Sequence, residues 1–151
     1  MEPLELEFRV RCSPEHAFTT WTAETSRWWP RDHTMSGDDD LTVTIEPRPG
    51  GRIFERATDG TEHDWGEVVV WEPPARLVYL WHLSFDRADA TEVEITFAPD
   101  ADGSIVRIEH RGWEHLGAVA EERRARNQHG WDTLIPHFEA ACRVTGSPAR
   151  R

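Results

Sequence analysis

Hydrophobic and charged residues alternate over residues 4–10, near the start of the chain. This period of two predicts a strand with one buried face. Ser13-Pro14-Glu15 follows, and it combines an N-cap residue, a first-turn proline and an early acid, which together are typical of a helix start. A short helix is therefore expected after Ser13. Residues 24–29 predict a second short helix, which ends at Pro30.

The middle of the chain has the pattern of a β-meander. Short apolar or alternating segments are separated by turn residues, and Asp59-Gly60 is a strong hairpin signal. A run of strands joined by hairpins favours an antiparallel sheet. The six strands predicted here cover residues 41–45, 52–58, 61–72, 76–84, 91–98 and 104–111.

One long amphipathic helix is predicted near the end of the chain, over residues 118–144. The spacing of its apolar residues places them on one face. These residues are Trp131, Leu134, Ile135, Phe138, Ala141 and Cys142. The same face continues backwards through Arg124, Asn127 and Gln128. Its first half therefore either lines a wet cavity or is an ordinary solvated helix.

The order of elements predicts an α+β fold. One strand, two short helices and six strands precede the long helix, which has the only long apolar face available to cover the sheet. We expect a curved seven-stranded antiparallel sheet around this C-terminal helix, with a cavity between the two. The 151-residue chain has the size of one domain, predicted at residues 1–144, with a flexible tail at 145–151.

Composition excludes several classes of function. The net charge of -11 argues against binding to nucleic acid or to an anionic membrane surface. All basic residues are arginine, so Schiff-base lysine enzymes and Walker-type nucleotide hydrolases are excluded. The scattered histidines predict no metal site, and we expect no cofactor. Cys12 and Cys142 fit no metal or redox spacing. The first residues lack the features of a signal peptide, so a cytoplasmic location is expected.

Several short motifs resemble, in their order, one known family. They are Trp28-Trp29-Pro30, Pro49-Gly50-Gly51, Asp59-Gly60, Trp71-Glu72-Pro73-Pro74-Ala75-Arg76-Leu77, Gly112-Trp113 and Gly130-Trp131. The chain is similar in these motifs to homologues of the activator of the ninety-kilodalton heat-shock protein's ATPase. That family belongs to the START-like, Bet v-type, polyketide-cyclase superfamily (SRPBCC). The resemblance implies a helix-grip fold with an internal ligand cavity. Superfamily members bind hydrophobic ligands, cyclise polyketides, confer resistance or assist chaperones.

The candidate function is the binding of a hydrophobic or aromatic small molecule inside this cavity. Tyr79 and Trp81 share one strand face and can stack on flat ligands if that face is the inner one. The candidate ligand-binding residues are Trp65, Tyr79, Trp81, Phe97, His110, Arg124, Asn127 and Gln128. We expect Arg124, Asn127 or Gln128 at the cavity mouth, with Trp81, Tyr79 and His110 deeper. The same aromatic residues also fit plain core packing.

Two other functions remain open from the sequence. His110 shares a strand face with Val106 and Ile108 and should point inward, where it could act as the acid–base group of a cyclase or hydrolase. A lone inward histidine is, however, more often a hydrogen-bonded core residue. The resemblance also implies a chaperone partner, and a homodimer is compatible with the chain.

Overall fold

Seven strands form one antiparallel sheet in the computed structural model, which describes residues 1–145. The strands are β1 Leu4–Val10, β2 Thr42–Ile45, β3 Arg52–Arg56, β4 Glu62–Glu72, β5 Arg76–Trp81, β6 Thr91–Asp100 and β7 Gly103–Arg111. The helices are α1 Pro14–Ala23, α2 Thr25–Trp28 and α3 Ala120–Thr145, and short 3-10 turns cover Arg31–His33, Arg87–Asp89 and Trp113–Val119. The predicted tail, apart from Thr145 at the end of α3, lies outside the described residues.

The strand order is β1-β7-β6-β5-β4-β3-β2, so the meander from β2 to β7 is extended by the first strand. β1 pairs antiparallel with β7, and Leu4 lies opposite His110. The strands predicted from the alternating pattern are thus all present. The curved sheet with a long C-terminal helix confirms the predicted α+β helix-grip fold.

The two short helices after β1 fill one end of the concave face. The Ser13 hydroxyl accepts a hydrogen bond from the His16 amide at 3.1 Å, so it caps α1 as its sequence predicts. Phe18 of α1 packs edge-on against Phe97 of β6, with ring centroids 5.4 Å apart. Trp21 packs edge-on against Phe138 of α3 at 4.8 Å. Aromatic contacts therefore tie α1 to both the sheet and the final helix.

The inner face of α3 is apolar in its second half, as predicted. Trp131, Leu134, Phe138 and Cys142 are buried. In the first half the face continues through Asn127 to Arg123, which is only 5% exposed. The buried arginine is therefore Arg123, whereas the sequence pattern placed Arg124 on this face.

An irregular pairing of β3 with β4 brings Trp65 into the core. Ile53 lies opposite Gly66, but the next residue, Phe54, lies opposite Asp64, so Trp65 is the extra residue of a bulge. A side chain at Gly66 would place its Cβ 2.0 Å from the backbone oxygen of Leu80 on β5. Only glycine permits this close approach of the strands.

Candidate functional site

Aromatic side chains fill most of the space between the sheet and α3. Trp29 contacts Trp65 and Trp81 with ring centroids 5.1 Å and 5.7 Å apart. The space left beside Trp65 and Tyr79 measures about 10 Å³, which is close to the minimum of about 10–15 Å³ for one water molecule. The deep cavity predicted here is therefore occupied by the protein's own side chains. Trp65 and Tyr79 belong to this packed interior.

Open volume is found at one end of this interior, as a cleft of about 320 Å³. Its walls come from the 3-10 turn Arg31–His33, the end of β5 with the following loop, and the first half of α3. The apolar residues of the lining are Trp29, Trp81, Leu83, Phe85, Trp131 and Leu134. The polar residues are Asp32, His33, Thr34, Ser84, Arg123, Arg126, Asn127 and His129. The cleft thus combines a floor of large rings with a polar rim, which is typical of a small-molecule site.

Trp131 is held in the cleft wall by a buried hydrogen-bond chain. Its indole Nε1 donates to His110 Nδ1 at 3.0 Å. Because Nδ1 accepts, the proton of the neutral imidazole lies on Nε2, which donates to Thr91 Oγ1 at 2.7 Å. The Thr91 hydroxyl then donates to the Trp81 carbonyl oxygen at 3.4 Å. The chain therefore connects two of the cleft's tryptophans.

This geometry does not suit His110 as an acid–base group. Both of its ring nitrogens are bonded, the side chain is fully buried, and it does not line the cleft. Burial, together with the nearby positive charge of Arg123, lowers the pKa of His110 to about 3. The imidazole is therefore neutral near pH 7 and positions Trp131.

A buried carboxylate fixes the loop on the other side of the cleft. Glu55 on β3 accepts hydrogen bonds from the backbone amides of Met35 at 2.6 Å and Ser36 at 2.8 Å, and from Trp65 Nε1 at 2.8 Å. Burial alone would raise the pKa of this carboxyl, but these hydrogen bonds outweigh it and hold the pKa below its ordinary value. The loop that carries His33 and Thr34 is thereby anchored to the sheet.

Of the residues predicted to bind ligand, Trp81 and Asn127 line the cleft. Phe97 packs against Phe18 and does not line it. Arg124 and Gln128 do not line it either, which corrects their expected place at its mouth. The Arg124 guanidinium donates to the carbonyl oxygens of Glu2 and Pro3 at 2.8 Å and 3.1 Å, and it thus holds the start of the chain. Gln128 is exposed.

Sequence reasoning did not identify the two arginines that lie against the aromatic ring of Phe85 in the cleft. Arg123 lies over the Phe85 ring, with its guanidinium carbon 3.7 Å from the ring centroid, and Arg126 lies at 5.2 Å from the same centroid. Counting back from Trp131 in steps of four would have led to Asn127 and then to Arg123. Phe85 gave no such signal, because it lies in an irregular loop.

Within residues 1–145 no group of three or more His, Cys, Asp or Glu side chains is arranged to hold a metal ion. Over the same residues, none of the helices has the length and apolarity needed to span a bilayer.

Comparison with known proteins identifies the family. Residues 11–142 match the model of the activator of Hsp90 ATPase homolog 1-like (AHSA1) family. The chain belongs to this family. The match confirms the resemblance inferred from the tryptophan and glycine motifs. Among curated proteins, none matches the chain significantly.

Solved structures similar to this AHSA1-like chain share its fold. The self-sacrificing resistance protein CalC from Micromonospora echinospora is 24% identical, with a TM-score of 0.72 and 97% of each chain covered. An AHSA1-like protein from Aeromonas hydrophila is 22% identical, with a TM-score of 0.66 and coverage of 95% of this chain and 94% of that one. CalU16 from Micromonospora echinospora is 17% identical, with a TM-score of 0.66 and coverage of 98% and 78%. At these identities the likeness concerns the fold.

Proposed function

We propose that this AHSA1-like protein binds a hydrophobic or aromatic small molecule in the cleft between β5 and α3. The observation that carries the proposal is the set of three indoles, Trp29, Trp81 and Trp131, in the wall of a solvent-open concavity. Large rings in the wall of a concave site favour the stacking of flat ligands. The volume of about 320 Å³ lies near the lower end of ligand sites, which span roughly 300–1,000 Å³. A small ring compound therefore fits better than a long lipid.

The indoles are held in place before any ligand arrives. Trp131 is fixed by His110, and Trp29 Nε1 donates to the His33 carbonyl oxygen at 2.9 Å. Trp81 contacts Trp29, Trp65 and Tyr79, and its strand neighbours in the sheet fix its backbone. A preformed wall loses little conformational entropy on binding, which favours affinity.

The enzymatic alternative based on His110 has little support from this arrangement, since the neutral, fully bonded imidazole lies outside the cleft. A chaperone partner and a homodimer stay predictions, because neither rests on a feature of the described residues. The proposal is therefore one of binding, with the cleft as the site.

The proposal is tested with a neutral two-ring probe, 2-naphthamide, titrated into the protein by isothermal calorimetry. We expect saturable binding that weakens about tenfold or more in Trp81→Ala, because a stacking surface is lost. The matched control is Trp71→Ala, which removes a partly buried tryptophan that packs on Phe18 outside the cleft. Absence of binding, or equal affinities of the two variants, would contradict the proposal. Melting temperatures establish that both variants are folded.

A further inference from the structure

The cleft carries positive charge although the chain as a whole carries a net charge of -11. Arg123 and Arg126 both line it. Among the described residues that line the cleft, one is acidic, Asp32. Its side chain is 87% exposed and therefore well solvated. Solvent screening weakens its effect on the buried part of the cleft. The balance of arginine over acidic side chains in the lining is thus opposite to that of the whole chain.

Arg123 is buried and forms no ion pair with an acid of residues 1–145, although the exposed Asp89 carboxylate lies near enough to raise its pKa. Its side chain makes one hydrogen bond, from Nη2 to the Asp89 carbonyl oxygen at 2.9 Å, and within residues 1–145 its Nε has no hydrogen-bond partner. Arg111 on the sheet shows the contrast, because it pairs with Glu92 at 2.6 Å and with Glu94 at 2.8 Å. A buried guanidinium that lacks a directly paired carboxylate is unfavourable for the folded protein alone.

Arg126 adds to this imbalance. It is exposed, lies beside the same Phe85 ring as Arg123, and forms no ion pair with an acid in the described part of the chain. Burial lowers the pKa of Arg123, the Asp89 carboxylate raises it, and the positive charge of Arg126 lowers it again. The positive charges of Arg123 and Arg126 therefore repel each other at the rim of the cleft.

A ligand that carries a negative charge would pair with the buried guanidinium of Arg123 and would also offset the repulsion between Arg123 and Arg126. Its anionic group would pair with the guanidiniums, while its rings would lie against the indoles a short distance away. Arginine suits this task because its fixed planar donors match a carboxylate. The arrangement joins one apolar and one cationic subsite within a single small cleft.

We propose that the ligand of this cleft is an aromatic carboxylate, with its carboxylate at Arg123 and Arg126 and its rings against Trp29, Trp81 and Trp131. This inference rests on the proposed function, since it names the chemical class of the ligand bound there. It adds a charge requirement that the aromatic wall alone does not impose.

The test compares 2-naphthoate with its neutral isostere 2-naphthamide on four proteins. These are the parent, Arg123→Gln, Arg126→Gln and the control Arg124→Gln. The control removes the same charge from the neighbouring residue of α3, which lies outside the cleft. The parent and Arg124→Gln should bind 2-naphthoate about tenfold more tightly than 2-naphthamide, because hydrogen bonds to charged groups are strong. Arg123→Gln and Arg126→Gln should lose this preference and keep their affinity for 2-naphthamide.

The outcomes separate this inference from the proposal beneath it. Equal affinity of the parent for the two probes, or a preference that survives in Arg126→Gln, overturns the carboxylate assignment and leaves aromatic binding intact. Binding of neither probe by the parent overturns both. Arg126 is exposed, so its replacement leaves the core unchanged, and Arg126→Gln decides the question even if Arg123→Gln fails to fold.

Discussion

A single imidazole joins the final helix of this protein to its sheet. His110 accepts a hydrogen bond from Trp131 of α3 and donates one to Thr91 of β6. Each polar atom in this buried set has a partner, which avoids the penalty of about 1–3 kcal/mol for a buried unsatisfied group. Individual side chains in the core therefore fix the position of the cleft wall as well as the stability of the fold.

Trp131→Ala is expected to be strongly destabilising. The side chain is 5% exposed and packs near Trp21, and truncation of such an aromatic residue costs about 3–5 kcal/mol. The change also leaves His110 Nδ1 without its donor. Urea unfolding measures the loss. The control Gln128→Ala on the exposed side of α3 should change the free energy of unfolding by about 0.5 kcal/mol or less, and similar stabilities of the two variants would contradict the packing described here.

His110 also makes stability depend on pH. In the unfolded chain its imidazole takes up a proton below its ordinary pKa of 6.5, whereas in the folded protein it stays neutral down to about pH 3. The unfolded state therefore binds more protons between these values, and acidification destabilises the fold by about 1.4 kcal/mol per pH unit. His110→Gln lacks this dependence. The stability difference between parent and variant should shrink as the pH falls from 6.5 towards 4.5, and a constant difference in urea unfolding would argue against it.

At the scale of an element, α3 shows how far periodicity predicts a face. Its second half was predicted correctly because Trp131, Leu134 and Phe138 define the phase of the buried stripe. Between residues 121 and 129 the sequence has one alanine and otherwise polar residues, so the phase rests on extrapolation alone. One residue turns a helix by about 100°. An error of one residue in the extrapolated face therefore exchanges Arg123, which lines the cleft, for Arg124, which binds the first residues of the chain.

Two glycines offer a matched pair of substitutions in different elements. Gly66→Ala on β4 should be destabilising, since its Cβ would lie 2.0 Å from the Leu80 backbone oxygen and the strands would have to separate. Gly130→Ala on α3 meets no atom within 4 Å and should be stabilising by about 0.5–1 kcal/mol, the difference in helix propensity. Melting temperatures should therefore move in opposite directions. A drop in both would mean that Gly130 has a structural role beyond its low helix propensity.

At the scale of the whole molecule, the sheet, the helices and their grip arrangement were predicted from the sequence. The strands could be predicted because the alternation over residues 4–10 and the turn signals of the meander are local sequence patterns. The family motifs then indicated the topology. The prediction of a deep cavity was wrong, because its space is filled by side chains. The depth of the cavity depends on how the tryptophan rings fill the space between β4, β5 and α3, which is a property of side-chain volumes and rotamers. The bulge at Trp65 likewise has no local signal apart from Gly66.

The pairing of β1 with β7 has a consequence for biosynthesis. Leu4 of β1 pairs with His110 of β7, so β1 has no partner until β7 has been synthesised. At roughly 5–20 residues per second, the ribosome needs about five seconds or more to reach that strand. During this interval the nascent chain carries an apolar strand edge with no partner, which is the kind of surface that holdase chaperones bind and that aggregates at high expression rates. A lower expression rate, which reduces the concentration of such unpaired chains, should therefore raise the yield of folded protein.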